Sequence, residues 1–454
     1  MNVKIFQLKL KYADFSYNEK VLNKNLDFDG LSVFPSLKFS KKSFDYYEKI
    51  ALKYPNKTLV FGTILVQNGK VYDVKNDYFE YDNKKIYVSE KYSENINCDL
   101  YILAKNSYFT IKGAESLIEN ITTHTDFIFV NPVMMADENI YAGQSFVKNK
   151  DNELVIQLPI CEEATYEVDF KNIVEEEFSS DEEQVYKVLI YALREYTENC
   201  GFKKVILGLS GGIDSALTAV LAKDALGAEN VHTVMLPSMY SSEGSIKDSQ
   251  ALVDNTGIST EEVSITPLFN CFMENVAKEN KGDLAEENLQ SRLRGVILMF
   301  KANRDGYLLL STGNKSEVAT GYGTLYGDMC GGLNLIADLT KTRVYALANW
   351  LNRNGEVIPQ NIITKAPSAE LRPNQKDQDS LPDYAVLDDI ITMYFEDEDS
   401  VEDIYAKYDK ELVDNVIKKF YHNEFKRRQS CLGIRLTENS FCANLKLPIT
   451  SKDY

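Results

Sequence analysis

The residues most able to do chemistry stand together in one short loop. The stretch GLSGGIDS lies between an apolar run that ends at Leu207 and a helical pattern that begins near Ala216. Its glycines permit a sharp turn and let backbone N–H groups face an anion, and its serines add hydroxyl donors at the positive end of a helix. The stretch therefore predicts a phosphate-binding loop. The loop consists of Gly208, Leu209, Ser210, Gly211, Gly212, Ile213, Asp214 and Ser215.

One carboxylate stands out in this loop. Asp214 would repel a bound phosphate unless a divalent cation lay between them, so its presence predicts Mg²⁺ together with a polyphosphate. The alternative is a tight strand-to-helix turn in which Asp214 only caps the helix. The loop differs from the Walker type, because no Gly-Lys-Ser/Thr follows its glycines.

The elements around this loop alternate between strands and helices from Glu183 onward. EEQVYKVLIYALREYTENCGF, SALTAVLAKDAL and DSQALVDNTG predict helices, the last closed by Gly257. KKVILGLS, VHTVMLP, EEVSITPL and GYLLLSTGN predict strands. This alternation is typical of a parallel sheet with helices on both faces, whose ligands bind at the carboxyl ends of the strands.

The first part of the chain has a different pattern. Short runs rich in Val, Ile, Phe and Tyr, such as LSVFP, KTLVFGTILV and TDFIFVNPV, predict a layered α/β domain. The charged segment IVEEEFSSDEE then predicts a linker. We expect a first domain over residues 1–172, a linker over 173–182 and a second domain over 183–454.

Composition excludes several classes of protein. The chain has 454 residues and a formal net charge of −18, which disfavours nucleic acid and anionic membrane surfaces as partners. No apolar run reaches the roughly 18 residues that a membrane span needs, and the amino terminus lacks a signal-peptide core, so we expect a cytoplasmic protein. Seven scattered cysteines without a CxxC pair, and only three histidines, disfavour a disulfide framework and a His/Cys metal site.

The phosphate loop resembles that of the N-type ATP pyrophosphatases, which transfer AMP to an oxygen of the substrate. The segments LAEENLQSRLRGVILM, STGNKSEVATGYGTLYGDMCGGLNLIADLTKTRVYALA and ITKAPSAELRPNQKDQDSLPDYAVLD resemble NAD synthetase in its long, bacterial, glutamine-dependent form. The resemblance covers about residue 183 to the end. It implies an adenine-nucleotide α-hydrolase-like parallel sheet for the second domain and a nitrilase-like α/β sandwich for the first.

The resemblance also implies a reaction. ATP activates the nicotinate carboxylate of deamido-NAD as an acyl adenylate with release of pyrophosphate, and ammonia then displaces AMP. Because like charges approach each other, catalysis should depend on positioning and charge neutralisation. Matching positions assign catalysis to Asp214 and Lys341, and Mg²⁺ to Asp214 and Glu317. Besides the loop, ATP would be bound by Thr312, Lys341 and Ser368. Deamido-NAD would be bound by Asn288, Arg292, Glu317, Asp328 and Lys426.

Two further expectations concern the site as a whole. The proline-bracketed segment PSAELRPNQKDQDSLPDY predicts a lid over the adenylate, with a mobile surface loop as the alternative. Despite the acidic chain, Mg²⁺, a helix amino terminus and cations such as Arg292, Lys341 and Lys426 could reverse the local field around ATP and deamido-NAD.

The amino-terminal domain departs from the nitrilase pattern where a glutaminase needs its catalytic residues. The general-base position falls on Ser36, and a hydroxyl cannot replace a carboxylate in proton transfer. Lys91 lies in a shortened connection without the motif of the catalytic lysine. Cys98 is interpreted as a packing residue. Cys161 follows the segment YAGQSFV, whereas the nucleophile of the family precedes the corresponding segment. The domain is therefore predicted to be a degenerate amidase, and the synthetase to use free ammonia.

Several alternatives remain open at this level. A separate glutaminase could deliver ammonia, and the chain could instead be a non-catalytic sensor of NAD precursors. A transfer-RNA thiolase should be basic and carry a cysteine pair, and a guanylate-forming amidotransferase would carry a different glutaminase. The resemblance further suggests a homodimer or higher homo-oligomer.

Overall fold

The computed structural model describes residues 1–36, 41–175, 178–277, 279 and 281–450. The chain divides into two compact units, Met1–Val188 and Leu189–Tyr454. The division falls inside a long helix, Asp181–Cys200, which begins within the segment predicted as a linker. Residues 176 and 177 of that segment lie outside the described residues, and the predicted domain limits stay a prediction.

The first unit consists of short strands and three helices within the described residues. Its helices are α1 Phe15–Asn23, α2 Lys41–Lys53 and α3 Gly113–Asn120. Its strands are β1 Val3–Gln7, β2 Leu31–Phe34, β3 Thr58–Phe61, β4 Ile64–Gln67, β5 Lys70–Asp73, β6 Asp77–Tyr81, β7 Lys84–Ser89, β8 Leu100–Leu103, β9 Asp126–Phe129, β10 Val133–Ala136, β11 Asn139–Ala142, β12 Phe146–Lys148, β13 Leu154–Gln157 and β14 Ala164–Glu167.

These strands form a layered sandwich. In the described part of the unit, one six-stranded sheet has the order β14-β1-β2-β3-β4-β5 and the other has the order β13-β12-β9-β8-β7-β6. Alternate residues of a strand face opposite sides. In β8, Leu100 and Ile102 therefore join the core between the sheets, whereas Tyr101 and Leu103 pack with Ile118 of α3. Helices thus cover the outer faces, which confirms the predicted nitrilase-like α/β sandwich.

The second unit contains the parallel sheet. Its strands are β15 Val205–Gly208, β16 Val231–Met235, β17 Ser259–Glu262, β18 Leu308–Ser311 and β19 Leu333–Asn334. The helix α4 Asp181–Cys200 spans the division between the units. The other helices of the second unit are α5 Ile213–Leu226, α6 Glu243–Thr256, α7 Thr266–Phe272, α8 Leu284–Asp305, α9 Lys315–Thr320, α10 Lys341–Leu351, α11 Gln360–Thr364, α12 Tyr384–Ile391, α13 Val401–Lys407, α14 Lys410–His422 and α15 Glu424–Arg427.

The order of these strands identifies a binding edge. The described strands pair in parallel in the order β17-β16-β15-β18-β19, so the chain leaves β15 towards β16 and returns on its other side as β18. Connections from β15 and β18 therefore diverge at their carboxyl ends and open a crevice there. The parallel sheet with helices on both faces agrees with the sequence prediction.

One strand prediction needs correction, and one apolar run of the first unit contains two strands. EEVSITPL was expected to be one strand, but β17 ends at Glu262 and α7 begins at Thr266. Pro267 explains the change, because its fixed φ suits the first turn of a helix and it cannot donate to a strand ladder. KTLVFGTILV contains two antiparallel strands, β3 and β4, because Gly62 turns the chain at φ +60°.

None of the described helices is long and apolar enough to cross a membrane.

Candidate active site

The predicted phosphate loop joins β15 to α5. The Leu209 N–H donates to the Val234 carbonyl of β16 at 2.9 Å, which fixes the start of the loop. Gly211 has a φ of +78°, and a Cβ there would lie 2.4 Å from the Ser245 carbonyl oxygen. The Ser210 and Ser215 hydroxyls are 3.1 Å apart. The first turn of α5 receives no side-chain cap from Gly212, so its N–H groups face the crevice at the positive end of the helix.

Three ionisable groups converge beside this loop. Asp214 Oδ2 lies 2.5 Å from Lys341 Nζ, and Glu317 Oε1 lies 3.5 Å from the same nitrogen. Asn314 donates to Asp214 Oδ1 at 2.9 Å and forms a capping box with Glu317 at the start of α9. Residues from α5, α9 and α10 are therefore brought into one ion-pair cluster.

Burial changes the proton affinities within this cluster. The Lys341 side chain is 2% exposed. Burial raises the pKa of Glu317 to about 8, and the neighbouring charge of Asp214 acts in the same direction. For Lys341, burial alone would lower the pKa, but Asp214 and Glu317 outweigh burial and raise it. Lys341 is therefore held in its protonated form beside Asp214 and Glu317.

A buried carboxylate from another helix holds this cluster in place. Asp388 of α12 accepts hydrogen bonds from the Ser316 hydroxyl and from the Thr342 N–H, the latter at 2.7 Å. Ser316 in turn accepts from the Lys341 N–H at 2.9 Å. The first turns of α9 and α10, which carry Glu317 and Lys341, are thereby fixed to each other.

The cluster opens into a cavity of about 470 Å³ at the carboxyl ends of β15, β16 and β18. Its described lining carries more carboxylates than cations. The carboxylates are Asp214, Glu287, Glu317, Asp328, Glu370 and Asp377, and the cations are Arg294, Lys341, Lys365 and Lys426. Lys341 is paired with Asp214, and the expectation that Mg²⁺, a helix amino terminus and cations such as Arg292, Lys341 and Lys426 together reverse the local field stays a prediction.

A cavity lining with more carboxylates than cations is suited to binding a divalent cation. Oxygen ligands from carboxylates are the ligands that Mg²⁺ prefers, and such sites use one or two carboxylates together with substrate phosphates. Asp214 and Glu317 are carboxylates that share one cation and lie beside the phosphate loop. Their donor chemistry therefore fits Mg²⁺, which would neutralise phosphate charge there.

Most of the other predicted site residues also line the cavity. Asp328 lines the cavity and accepts from the Ser291 hydroxyl at 2.9 Å, and desolvation there raises its pKa. Asn288 of α8 accepts from the Thr324 hydroxyl at 2.8 Å. Burial lowers the pKa of Lys426, whose Nζ donates to the carbonyl groups of residues 321 and 323. Thr312 and Ser368 are the remaining predicted residues in the lining.

Arg292 and Arg294 occupy different sides of α8. Arg292 is exposed, lies outside the cavity lining, and donates to the Leu325 carbonyl at 3.1 Å. Arg294 lines the cavity and donates to the Leu236 carbonyl at 3.0 Å, and burial lowers its pKa to about 10. Residues two apart on a helix do not share a face, so the sequence pattern could not decide between them. The predicted role of Arg292 in binding deamido-NAD stays a prediction.

Three further lining residues were not identified from sequence. Lys365 Nζ donates to the Gly211 carbonyl at 3.1 Å, beside the phosphate loop. Asp377 accepts from the hydroxyls of Tyr322 and Tyr384, and burial raises its pKa. Glu370 belongs to the predicted lid. The only available signal was their occurrence in the polar segment after α11, which does not indicate which side chains turn inward.

The corresponding positions in the first unit have no comparable cluster. The Ser36 backbone exchanges hydrogen bonds with the Asn106 side chain at the carboxyl end of β2. Lys91 is exposed, and its carbonyl accepts from the Tyr101 hydroxyl. Cys98 packs half-buried against the Tyr101 side of the sandwich, and burial raises the pKa values of the Cys98 and Cys161 thiols. Among the described residues, no hydrogen bond or ion pair connects Ser36, Lys91, Cys98 and Cys161.

Comparison with known proteins identifies the family. The model of the NAD synthase family matches residues 185–430, more than half of the chain. The glutamine-dependent NAD(+) synthetase of Synechocystis is 39% identical over 413 residues, which cover 83% of this chain and 74% of that protein. The chain belongs to the NAD synthase family. The glutamine-dependent NAD(+) synthetase of Acinetobacter baylyi is 40% identical over 370 residues, or 78% of this chain and 68% of the relative.

Solved structures of NAD synthetases share this fold. The glutamine-dependent NAD+ synthetase of Acinetobacter baumannii, solved in complex with ADP, has a TM-score of 0.74 and 30% identity, covering 99% of this chain and 98% of that one. That of Cytophaga hutchinsonii has a TM-score of 0.83 at 17% identity, covering 100% and 98%, which shows a common fold. The long architecture expected from the NAD synthetase resemblance is confirmed.

Proposed function

We propose that this chain synthesises NAD by ATP-dependent adenylation of deamido-NAD, followed by amidation with free ammonia, and releases AMP and pyrophosphate. The observation that carries the proposal is the cluster of Asp214, Lys341 and Glu317 beside the phosphate loop. A carboxylate substrate and a triphosphate repel each other, and buried charges preorganised at their meeting point lower that barrier. Membership of the NAD synthase family supports the same reaction.

The predicted residues other than Arg292 have the following roles in this proposal. The loop from Gly208 to Ser215 holds the phosphates, and Asp214 with Glu317 holds Mg²⁺. Lys341 keeps the two carboxylates together and would face the adenylyl group that is transferred from ATP. Thr312 and Ser368 contact ATP, whereas Asn288, Asp328 and Lys426 line the deamido-NAD side. The metal supplies charge neutralisation when it is bound.

The nitrogen source follows from the first unit. Ser36 has no carboxylate for proton transfer, and burial keeps the thiols of Cys98 and Cys161 protonated because it raises their pKa values. These features favour ammonia over glutamine, although the curated relatives are named glutamine-dependent. The first unit then acts as a degenerate amidase domain, and delivery of ammonia by a separate glutaminase is the alternative.

A comparison of nitrogen sources tests the proposal. Purified chain with ATP, Mg²⁺ and deamido-NAD is supplied with ammonium or with ammonium-free glutamine, and NAD, glutamate and AMP are measured. We expect turnover with ammonium, and a rate with glutamine below about 1% of it, as the loss of a general base predicts. NAD and glutamate formation from glutamine at a comparable rate would overturn the ammonia assignment. Cys161→Ala serves as the control and should change neither rate.

The same assay separates an enzyme from a sensor. A sensor of NAD precursors would bind ATP and deamido-NAD but release neither AMP nor pyrophosphate with either nitrogen source. That outcome would overturn the proposed synthetase activity as a whole.

A further inference from the structure

The segment between α11 and α12 crosses the cavity. Residues 366–371, 375 and 377 of this segment all belong to the cavity lining. Apart from a short 3₁₀ turn at Asp377–Asp379, the segment has no regular structure. Its position depends on a few side-chain contacts, and residues 366–383 are called the lid below.

One lid residue makes most of the contacts to α6. The Glu370 carboxylate accepts from the Ser242 hydroxyl at 2.8 Å and from the Ser245 hydroxyl at 2.7 Å. It also accepts from the Ser242 N–H at 3.2 Å. Ser242 is the N-cap of α6, so the carboxylate lies at the positive end of that helix, where an anion is stabilised.

A second residue connects this contact to the phosphate loop. Lys365 Nζ donates to the Ser245 hydroxyl at 3.0 Å and to the Gly211 carbonyl at 3.1 Å, and pairs with Asp248 at 3.1 Å. Ser245 therefore touches Lys365 and Glu370 at once. A continuous set of hydrogen bonds runs from the phosphate loop through α6 to the lid.

The backbone of Glu370 supports a positioning role. Its φ is +49°, in the left-handed region that residues with a side chain rarely adopt. Such a conformation persists only when surrounding contacts determine it. The three hydrogen bonds to Ser242 and Ser245 are contacts of this kind.

We propose that Glu370 is a positioning residue that latches the lid to α6 and so keeps water away from the acyl adenylate. The inference rests on the proposed synthetase function. If water entered, its oxygen would attack the acyl carbon and form a C–O bond, and the bond to AMP would break. Deamido-NAD would be regenerated with release of protons, so the net reaction would hydrolyse ATP to AMP and pyrophosphate without forming NAD.

The ratio of AMP to NAD tests this latch. With ATP, Mg²⁺, deamido-NAD and limiting ammonium, we expect a ratio near one for the wild type. Glu370→Ala should raise it about three-fold or more, because water then competes with ammonia. Glu370→Gln should lie between them, since an amide oxygen can still accept from the serine hydroxyls. Ser245→Ala should also raise the ratio, and combining it with Glu370→Ala should add little, because both remove the same contact.

Glu243→Gln provides the matched control. Glu243 also places a carboxylate in the first turn of α6, but its side chain is 91% exposed and pairs with Lys247. If Glu370 acted only by stabilising α6, both substitutions would change the ratio equally, which would overturn the latch. We expect the Glu243→Gln variant to keep the wild-type ratio.

A readout without substrates separates the latch from the proposed function. Loss of the latch should speed tryptic cleavage after Lys376 in the ligand-free Glu370→Ala variant about ten-fold over wild type and Glu243→Gln, since cleavage follows local opening. Failure of the wild type to form NAD would overturn the proposed function and leave this result standing. Unchanged cleavage and an unchanged AMP to NAD ratio in an active Glu370→Ala variant would overturn the latch alone.

Discussion

Both carboxylate oxygens of Asp214 accept hydrogen bonds, Oδ2 from Lys341 Nζ at 2.5 Å and Oδ1 from Asn314 Nδ2 at 2.9 Å. These contacts orient the side chain beside the phosphate loop before any nucleotide binds. A carboxylate held in this way needs no reorganisation when a metal and a polyphosphate arrive, which is the property that electrostatic catalysis requires. At the residue scale, the site therefore depends on the placement of charge rather than on an activated nucleophile.

Removal of this charge provides the first prediction. Among the described residues, Asp214→Asn leaves Glu317, at 3.5 Å, as the carboxylate paired with Lys341, and it removes one proposed metal ligand. We expect pyrophosphate release to fall by about 100-fold or more, as for the loss of one preorganised group in other sites. Asp224→Asn, near the other end of α5, should retain wild-type activity. Pyrophosphate release near the wild-type rate in Asp214→Asn would contradict the assigned role.

The thiols provide a second prediction. Burial raises the pKa of the Cys161 thiol, and a protonated thiol is a poor nucleophile. In the native protein at pH 7.5, iodoacetamide should modify the exposed Cys200 and Cys271 first and leave Cys161 unmodified, as peptide mass spectrometry would show. All three should react after denaturation. Rapid native modification of Cys161 would indicate an activated thiolate and a working nucleophile.

At the scale of elements, the first turn of α9 presents one side chain to the proposed active site and buries another in an ion-pair cluster that stabilises the fold. Glu317 faces Lys341, whereas Lys315 is fully buried and pairs with Asp338 at 3.1 Å and with Glu396 at 2.8 Å. Asp338 also accepts from the N–H groups of Leu436 and Thr437. The carboxyl-terminal segment is therefore attached to the helix that presents the proposed metal ligand.

Lys315→Met tests this attachment. The substitution leaves two carboxylates without their buried cation and should lower the free energy of unfolding by about 3–5 kcal/mol. Urea unfolding can be followed by the fluorescence of Trp350, the single tryptophan, which lies on α10 of the second unit. Lys407→Met removes the same charge from an exposed pair with Asp389 and should cost less than about 1 kcal/mol. Equal effects of both substitutions would show that the buried cluster contributes no special stability.

Elements also show which predictions could be made from sequence. The phosphate loop, α5 and the parallel strands were predicted, because their glycines and apolar periodicity are local signals. The choice between Arg292 and Arg294 could not be made, since it depends on the rotation of α8 against the sheet. Glu370 and Asp388 lie far along the chain from Ser245 and Ser316, and local patterns carry no information about such pairs.

At the scale of the whole molecule, the net charge of −18 acts together with a cavity whose described lining has more carboxylates than cations. Mg²⁺ bound to ATP leaves the nucleotide an anion that the chain repels at long range. Short contacts at the phosphate loop overcome this repulsion only after the nucleotide has arrived. The net charge of the chain therefore governs the rate at which the nucleotide arrives, whereas the contacts at the phosphate loop govern how tightly it is held.

This distinction predicts an unusual salt dependence. Salt shortens the screening length from about 20–30 Å at low ionic strength to about 8 Å at 0.15 M and so weakens long-range repulsion. We expect kcat/KM for MgATP to rise about two-fold between 20 and 150 mM NaCl, in contrast to the fall seen when a cationic surface attracts its ligand. Tetramethylammonium chloride of equal ionic strength controls for specific effects of Na⁺. A fall in kcat/KM would show that local cations dominate the approach.

The contact between Gly211 and α6 also determines which glycines evolution can replace. Gly211, Gly257 and Gly306 all have positive φ, but a Cβ would meet nothing within 4 Å at Gly257 and Gly306, whereas at Gly211 it would overlap the Ser245 backbone. Asparagine, which tolerates this backbone region, can therefore be accommodated at the two helix ends but not in the loop. A library of all substitutions, selected for growth on ammonium, should recover asparagine at 257 and 306 and only glycine at 211.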